Sequence, residues 1–276
     1  MAKTRGTLSA ELGWALSRLA ADNKAVFTVE DFAQAAPRPK RKTWRVLNFL
    51  LDGGWIARLA KGKYLIVPLQ AGPESAWSEE SLVVAGHLAS PAAVAYWSAC
   101  HHWNWTEQVP RTVFVQTTQK KMHNTRTVLG VRYRFVRVGA GKFFGTVRRS
   151  VGGGQITITD REKALVDAFD RPDLCGGIAQ VAQMLPAAAE AIEWDRLDGY
   201  LARMKSGAIY KRLGFLVEHI RGKLSIPRQS ERIEGWRSRL TGGHALLEPR
   251  APATGPINSR WRVRLNAPGF RNGDGS

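Results

Sequence analysis

The chain has 276 residues, with 41 Lys and Arg against 23 Asp and Glu, for a formal net charge of +18. A hydrophobic content of 44% and ten tryptophans exclude wholesale disorder, and the length suits two or three compact units. So basic a chain repels itself unless an anionic partner is near, usually nucleic acid; no apolar run reaches about 18 residues, so a spanning helix is excluded and no membrane partner is expected.

Leu8, Leu12, Ala15, Leu16 and Leu19 recur at three- and four-residue steps, which is one stripe of an amphipathic helix. Thr28 is placed to cap a second helix over 29–36, with Asp31 three residues on and Phe27 as a staple; Pro37 ends it. Pro39 suits the first turn of a third helix, whose buried face is expected at Trp44, Leu47, Leu50 and Leu51 and which Gly53-Gly54 terminates. The opposite face carries Lys40, Arg41, Arg45 and Asn48, and Lys42 joins them as a candidate for groove and phosphate contacts. Trp55–Leu59 and Lys63–Val67 read as two strands around Lys61-Gly62, a hairpin with a basic tip. Three helices, the third basic, followed by such a hairpin describe a winged helix-turn-helix over residues 1–69. The third helix is expected to enter the major groove of double-stranded DNA while Lys61 and Lys63 follow its backbone.

Ala71–Ser75 reads as a linker and 79–87 as a helix, and Ser90-Pro91 is expected to open another helix that runs through Cys100. Val113–Thr118 is β-rich. Val131–Val138 alternates, with Val131, Tyr133 and Phe135 inward and Arg132 and Arg134 outward. With the loop residues Lys120, Lys121 and Arg126, these two arginines form a candidate second basic surface, suited equally to nucleic acid or to an ordinary polar face. Helices are expected over 161–169, 175–185 (ended by Pro186), 194–205 and 207–222, and a last strand at Trp261–Leu265. The fold class is therefore α+β. A winged helix-turn-helix precedes a mixed α/β domain over 75–225 with a helical C-terminal half, and a basic, partly flexible extension spans 226–276.

Little in the chain points to catalysis, and no catalytic residue, metal ligand or cofactor is expected. Cys100 and Cys175 make neither a disulfide framework nor a metal site, and Met1–Thr7 is not followed by an apolar signal core, so the cytoplasm is the expected compartment. Adjacent His101 and His102 point about 100° apart on one helix and do not share a ligand site, which leaves them a structural role. Asp160-Arg161-Glu162-Lys163 has the residue types of a nuclease cluster; the plainer reading makes Thr159 an N-cap, Glu162 its capping-box partner, and Asp167 a partner of Lys163 or Arg171. Gly152-Gly153-Gly154 precedes a strand and not a helix, so it forms a turn and no phosphate loop.

Several stretches resemble one family. Ser90–Pro110, with Tyr96-Trp97, His101-His102 and Thr106-Glu107-Gln108-Val109-Pro110, is similar to the signature of AbiEi-type antitoxins, and Thr117-Thr118-Gln119-Lys120-Lys121 occupies the place of that family's paired threonines and basic loop. Trp103-Asn104-Trp105 stands where the family commonly has Gly-Leu. Ile158–Asp167 resembles its Ser-Pro-Glu-Lys-Ala-Leu-Leu-Asp helix start, with Asp160 in place of proline; Arg212–Glu218 resembles its Arg-Leu-Gly-Tyr-Leu helix, and Gly62–Pro68 its wing ending. The likeness spans roughly residues 10–225. It implies the antitoxin of a type IV toxin–antitoxin system that represses its own operon by binding inverted repeats in promoter DNA. It also implies a cognate toxin, often nucleotidyltransferase-like, with direct contact left open. One winged domain covers a half-site, so a monomer or weak dimer pairing on DNA is expected. The rivals are a repressor of unrelated genes without a toxin partner, and a DNA-targeted nuclease.

Overall fold

Ser9 accepts the Leu12 amide, and behind this cap Leu12, Ala15, Leu16 and Leu19 bury one stripe of helix α1 (Ala10–Ala21). The computed structural model describes residues 7–22, 24–67, 81–120, 123–151, 154–220 and 224–270. It divides into two units. The first comprises Met1–Val94, Arg111–Arg137 and Arg148–Thr157; the second comprises Ala95–Pro110, Val138–Val147 and Ile158–Ser276. The expected linker Ala71–Ser75, Pro68 of the wing ending, and Lys121 lie outside the described residues.

In the first unit, α1 is followed by a short strand β1 (Val26–Thr28), helix α2 (Val29–Ala35) and helix α3 (Lys40–Asp52). Thr28 and Asp31 form a reciprocal capping box at the start of α2. Strands β2 (Ile56–Ala60) and β3 (Lys63–Ile66) make an antiparallel hairpin, and β1 adds to its inner edge in the order β1-β3-β2. Leu12, Leu16, Leu19, Phe27, Phe32, Leu47, Leu50, Ile56 and Tyr64 share one core, with the Phe27 ring 5.9 Å from Phe32 and 5.7 Å from Tyr64.

The buried line of α3 is Thr43, Leu47 and Leu50. Trp44, expected inside, is 44% exposed, and Leu51 is half-buried. At about 100° per residue Trp44 lies roughly 60° off the Leu47 direction, on the side away from Leu50 and Thr43, so the apolar arc read from the sequence is turned toward Thr43.

The first unit also holds helix α4 (Ser81–Leu88), which packs on β2, strands β4 (Ala93–Val94), β5 (Thr112–Thr117), β6 (Thr125–Val128) and β7 (Val131–Arg137), and residues 148–157 of strands β8 (Thr146–Val151) and β9 (Gly154–Thr159). These strands form a sheet in the order β6-β7-β5-β4-β9-β8, in which β5 and β7 run parallel. The helix expected from Ser90 starts later. Ala93 and Val94 pair with Gln116 and Val115, and Thr117 Oγ1 donates to the Pro91 carbonyl at 2.7 Å, so sheet pairing holds this stretch extended.

The second unit contains helices α5 (Trp97–His102), α6 (Arg161–Asp170), α7 (Ile178–Ala191), α8 (Trp194–Met204), α9 (Gly207–His219) and α10 (Gln229–Arg237). It also holds a small sheet of β10 (Ala245–Leu246), β11 (Ile257–Asn258) and β12 (Val263–Arg264). Helix α6 is buried from Glu162 to Phe169 and packs against α5, α7, α8 and α9. Its N-cap is Asp160, not Thr159; Thr159 ends β9, and Glu162 accepts the Glu193 amide at 2.8 Å instead of closing a capping box. Pro186 lies inside α7 and does not end it, because Ala188 and Ala189 continue the buried stripe of Val181, Met184 and Leu185 past it.

Of the extension expected to be partly flexible, residues 224–270 are described, and several of its side chains are buried. Trp261 is fully buried, and its indole Nε1 donates to Glu218 at 2.7 Å; Trp236 donates to Asp198 at 2.7 Å. Glu248 accepts the Ile178 amide at 2.8 Å and so caps α7 from 70 residues away in sequence.

Candidate nucleic-acid interface

Helix α3 starts in a way that folding alone does not favour. Pro39 is its N-cap and supplies no side-chain hydrogen bond, no acidic residue lies in the first turn, and Lys40, Arg41 and Lys42 open the helix. Cations at the positive end of a helix dipole are unfavourable, while an anion there is stabilised by the free amides and the dipole together.

Lys40, Arg41, Lys42, Arg45 and Asn48 are all exposed. Arg41, Arg45 and Asn48 follow one another at four- and three-residue steps and form a single outward ridge opposite Leu47 and Leu50, which Asp52 closes with the one acidic group of the helix. Among the described residues no ion pair engages Lys40, Arg41, Lys42 or Arg45. The neighbouring Arg38 differs: it is paired with Glu11 at 2.5 Å, donates to the Ala36 carbonyl at 3.2 Å and lies over the Phe32 ring. It therefore serves the fold, and the ridge begins after it.

Lys61 and Lys63 are exposed at the hairpin tip. Gly62 has φ +71, the left-handed region that suits glycine in so tight a turn, and the ladder shifts register between Arg58 and Ala60. Lys63 also acts inward: its charge helps burial hold the half-buried His87 of α4 below the ordinary histidine range.

The four described residues of the second candidate surface do not form one face. Arg132 and Arg134 sit opposite Thr127 and Thr125 on one side of the β6–β7 ladder, and the Arg134 guanidinium lies 5.9 Å from the Phe114 ring centre. Arg126 sits opposite Tyr133 on the other side, and its Nη2 donates to the Arg58 carbonyl at 3.1 Å. Lys120 is exposed. Arg126 thus belongs with the hairpin, a placement that its sequence neighbours do not reveal.

Two apolar residues of α3 were missed as surface groups. Phe49 is 48% exposed and Trp44 44%. The only signal available was angular, since both lie off the Thr43–Leu47–Leu50 line.

The basic block from Arg203 to Arg239 is largely consumed inside the second unit. Arg212 donates to the carbonyls of Phe169 and Leu246, Lys211 to those of Gly242 and Gly243, and Arg232 to Asp195 and Asp198. The carboxylates of α6 are likewise occupied. Asp160 accepts the Lys163 amide and the Tyr200 hydroxyl, each at 2.8 Å; burial raises its carboxyl above the usual range and Tyr200 is pushed up to about 12. Lys163 pairs with Asp167 where both are buried. His101 Nδ1 lies 3.2 Å from the Thr106 carbonyl, across the turn that follows α5. Among the described residues, no three His, Cys, Asp or Glu side chains cluster as a metal site would require.

By architecture the chain is an α+β protein of separate sheets and helices. The crystal structure of the RV2827C protein from Mycobacterium tuberculosis has a similar fold, with a TM-score of 0.66 over 95% of this chain and 93% of that one, at 17% sequence identity. Comparisons with protein-family profiles and with curated proteins give no match. Among the described residues no helix is long and apolar enough to cross a membrane.

Proposed function

We propose that residues of the first unit form a winged helix-turn-helix that binds operator DNA, within a cytoplasmic protein that acts as a type IV antitoxin and represses its own operon. The observation that carries the DNA reading is α3 itself: an uncapped N-terminus opened by Lys40, Arg41 and Lys42, continued by the unpaired Arg45 and Asn48. That arrangement is unfavourable for an isolated helix and favourable against phosphates and base edges. The hairpin tip, with Lys61 and Lys63, serves as the wing.

The antitoxin reading rests on the resemblance of Ser90–Pro110, Ile158–Asp167 and Arg212–Glu218 to the AbiEi type. In it the wing domain sets the protein's own expression, and the rest of the chain counters a nucleotidyltransferase-like toxin encoded beside it.

A salt titration of binding to promoter duplex tests the first part. Arg41→Ala with Arg45→Ala is expected to weaken binding and to lower the salt slope by about one per lost phosphate contact. Unchanged affinity and slope would remove α3 as the DNA reader. For the second part, the full chain is co-expressed with the product of the adjacent gene; growth that the chain does not restore overturns the antitoxin assignment and leaves a plain repressor.

A further inference from the structure

Phe49 is a half-exposed aromatic ring on the face of α3 that points away from the core. It lies four residues after Arg45 and seven after Lys42, so the three share one angular sector, roughly 140–200° from the Leu47 direction. At 1.5 Å per residue the ring sits about 6 Å along the axis from Arg45. Packing does not account for it: the unit's core is served by Thr43, Leu47 and Leu50 from this helix. Salt links do not account for it either, because the ring is apolar. It stands among cations that draw α3 toward DNA, with Asn48 beside it and Asp52 beyond.

A ring in that place meets base edges. The major groove offers hydrogen-bonding atoms on every base pair and one apolar group, the C5 methyl of thymine. We infer that Phe49 is a specificity-determining residue that packs on a thymine methyl, so that each half-site carries a T·A pair opposite the C-terminal half of α3. This rests on the reading of α3 as the DNA-contacting helix. It assigns Phe49 to discrimination between sequences and leaves attraction to the phosphates with Lys40, Arg41, Lys42 and Arg45.

The test uses the full chain and duplexes that it selects from a random-sequence DNA pool. In a selected duplex each thymine is replaced singly by deoxyuridine, which removes only the methyl. One replacement is expected to weaken the wild-type protein about fourfold, the value of one buried methyl, and to leave Phe49→Ala unaffected. Exchanging that T·A pair for 5-methylcytosine·guanine restores part of the loss for the wild type only. Phe49→Leu, which keeps an apolar side chain, retains most of the discrimination and guards against a folding defect in the alanine variant. If every deoxyuridine duplex affects wild type and Phe49→Ala alike, the assignment is overturned while the DNA reading stands, as the salt slope of Arg41→Ala with Arg45→Ala shows independently. If Phe49→Ala instead changes the sedimenting species and not the base preference, the ring is a protein contact and the proposal fails. No selection of any sequence overturns both.

Discussion

The Arg126 guanidinium donates through Nη2 to the main-chain carbonyl of Arg58, 3.1 Å away, and ties strand β6 to β2, the edge strand of the basic hairpin. An edge strand presents unpaired carbonyls, and a cation placed on one both satisfies it and steadies the strand. Arg126→Ala is therefore expected to speed amide hydrogen exchange along β2 and around the Lys61-Gly62 turn. Arg132→Ala is expected to leave that exchange unchanged, because Arg132 occupies the opposite side of the β6–β7 ladder. Equal exchange in the two variants would show that the contact does not brace the hairpin.

What the sequence disclosed about this region follows from how local each signal is. Helix α3 and the hairpin were legible because a 3.6-residue apolar repeat, a proline before and paired glycines after mark them without any distant partner. Strand β1 was not, since three residues become a strand only by pairing with Tyr64 and its neighbours. The same holds for β4, whose two residues are defined by Gln116 and Val115. The cations of the candidate interface are marked by their charge; Phe49 has none and falls outside the buried face expected at Trp44, Leu47, Leu50 and Leu51, so nothing in the sequence singles it out. Trp236 and Trp261 show the converse. They sit in a Pro- and Arg-rich stretch that reads as a tail, and are buried through contacts with Asp198 and Glu218 far back in the chain.

Lys163 and Asp167 form an ion pair one turn apart in α6, with side chains 0% and 2% exposed. Removing one partner leaves an uncompensated charge in the core, which costs about 3–5 kcal/mol, whereas replacing both by apolar groups is far milder. Asp167→Ala is expected to destabilise the protein by that amount in urea unfolding. Lys163→Met combined with Asp167→Leu is expected to recover most of it. A double variant as unstable as the single one would mean the pair holds α6 by geometry that apolar packing cannot replace.

The pH response of the first unit has a defined sign. His87 has its folded pKa depressed below the ordinary 6.5, first by burial and then by the Lys63 charge. The unfolded chain thus takes up a proton that the folded chain resists as pH falls through that value. The stability associated with neutral His87 is fully present above about 6.5 and declines below it. Thermal melts at pH 7.5 and 5.5 should show a smaller drop for His87→Gln than for the wild type. Lys63→Gln should reduce the drop in part, since it removes the second cause and leaves burial. An identical drop in all three proteins would place the acid sensitivity elsewhere.

Gly214 in α9 lies under the Trp261 ring, and a Cβ built there would come within 2.0 Å of the ring's Cζ3. Helix propensity favours alanine over glycine by about 1 kcal/mol at an interior position, so a free site would gain from the change. Here the ring is fully buried and anchored by its Nε1 bond to Glu218, which leaves it little room to shift. Gly214→Ala is expected to lose about 1–3 kcal/mol through overpacking despite its better propensity. The sign of the effect decides between the two forces. Trp261→Leu, itself destabilising through the cavity it opens, should lose less when combined with Gly214→Ala than the two single losses added together, because the alanine methyl then enters vacated space. Strict additivity in a double-mutant cycle would mean that Trp261 and Gly214 do not share that space in solution.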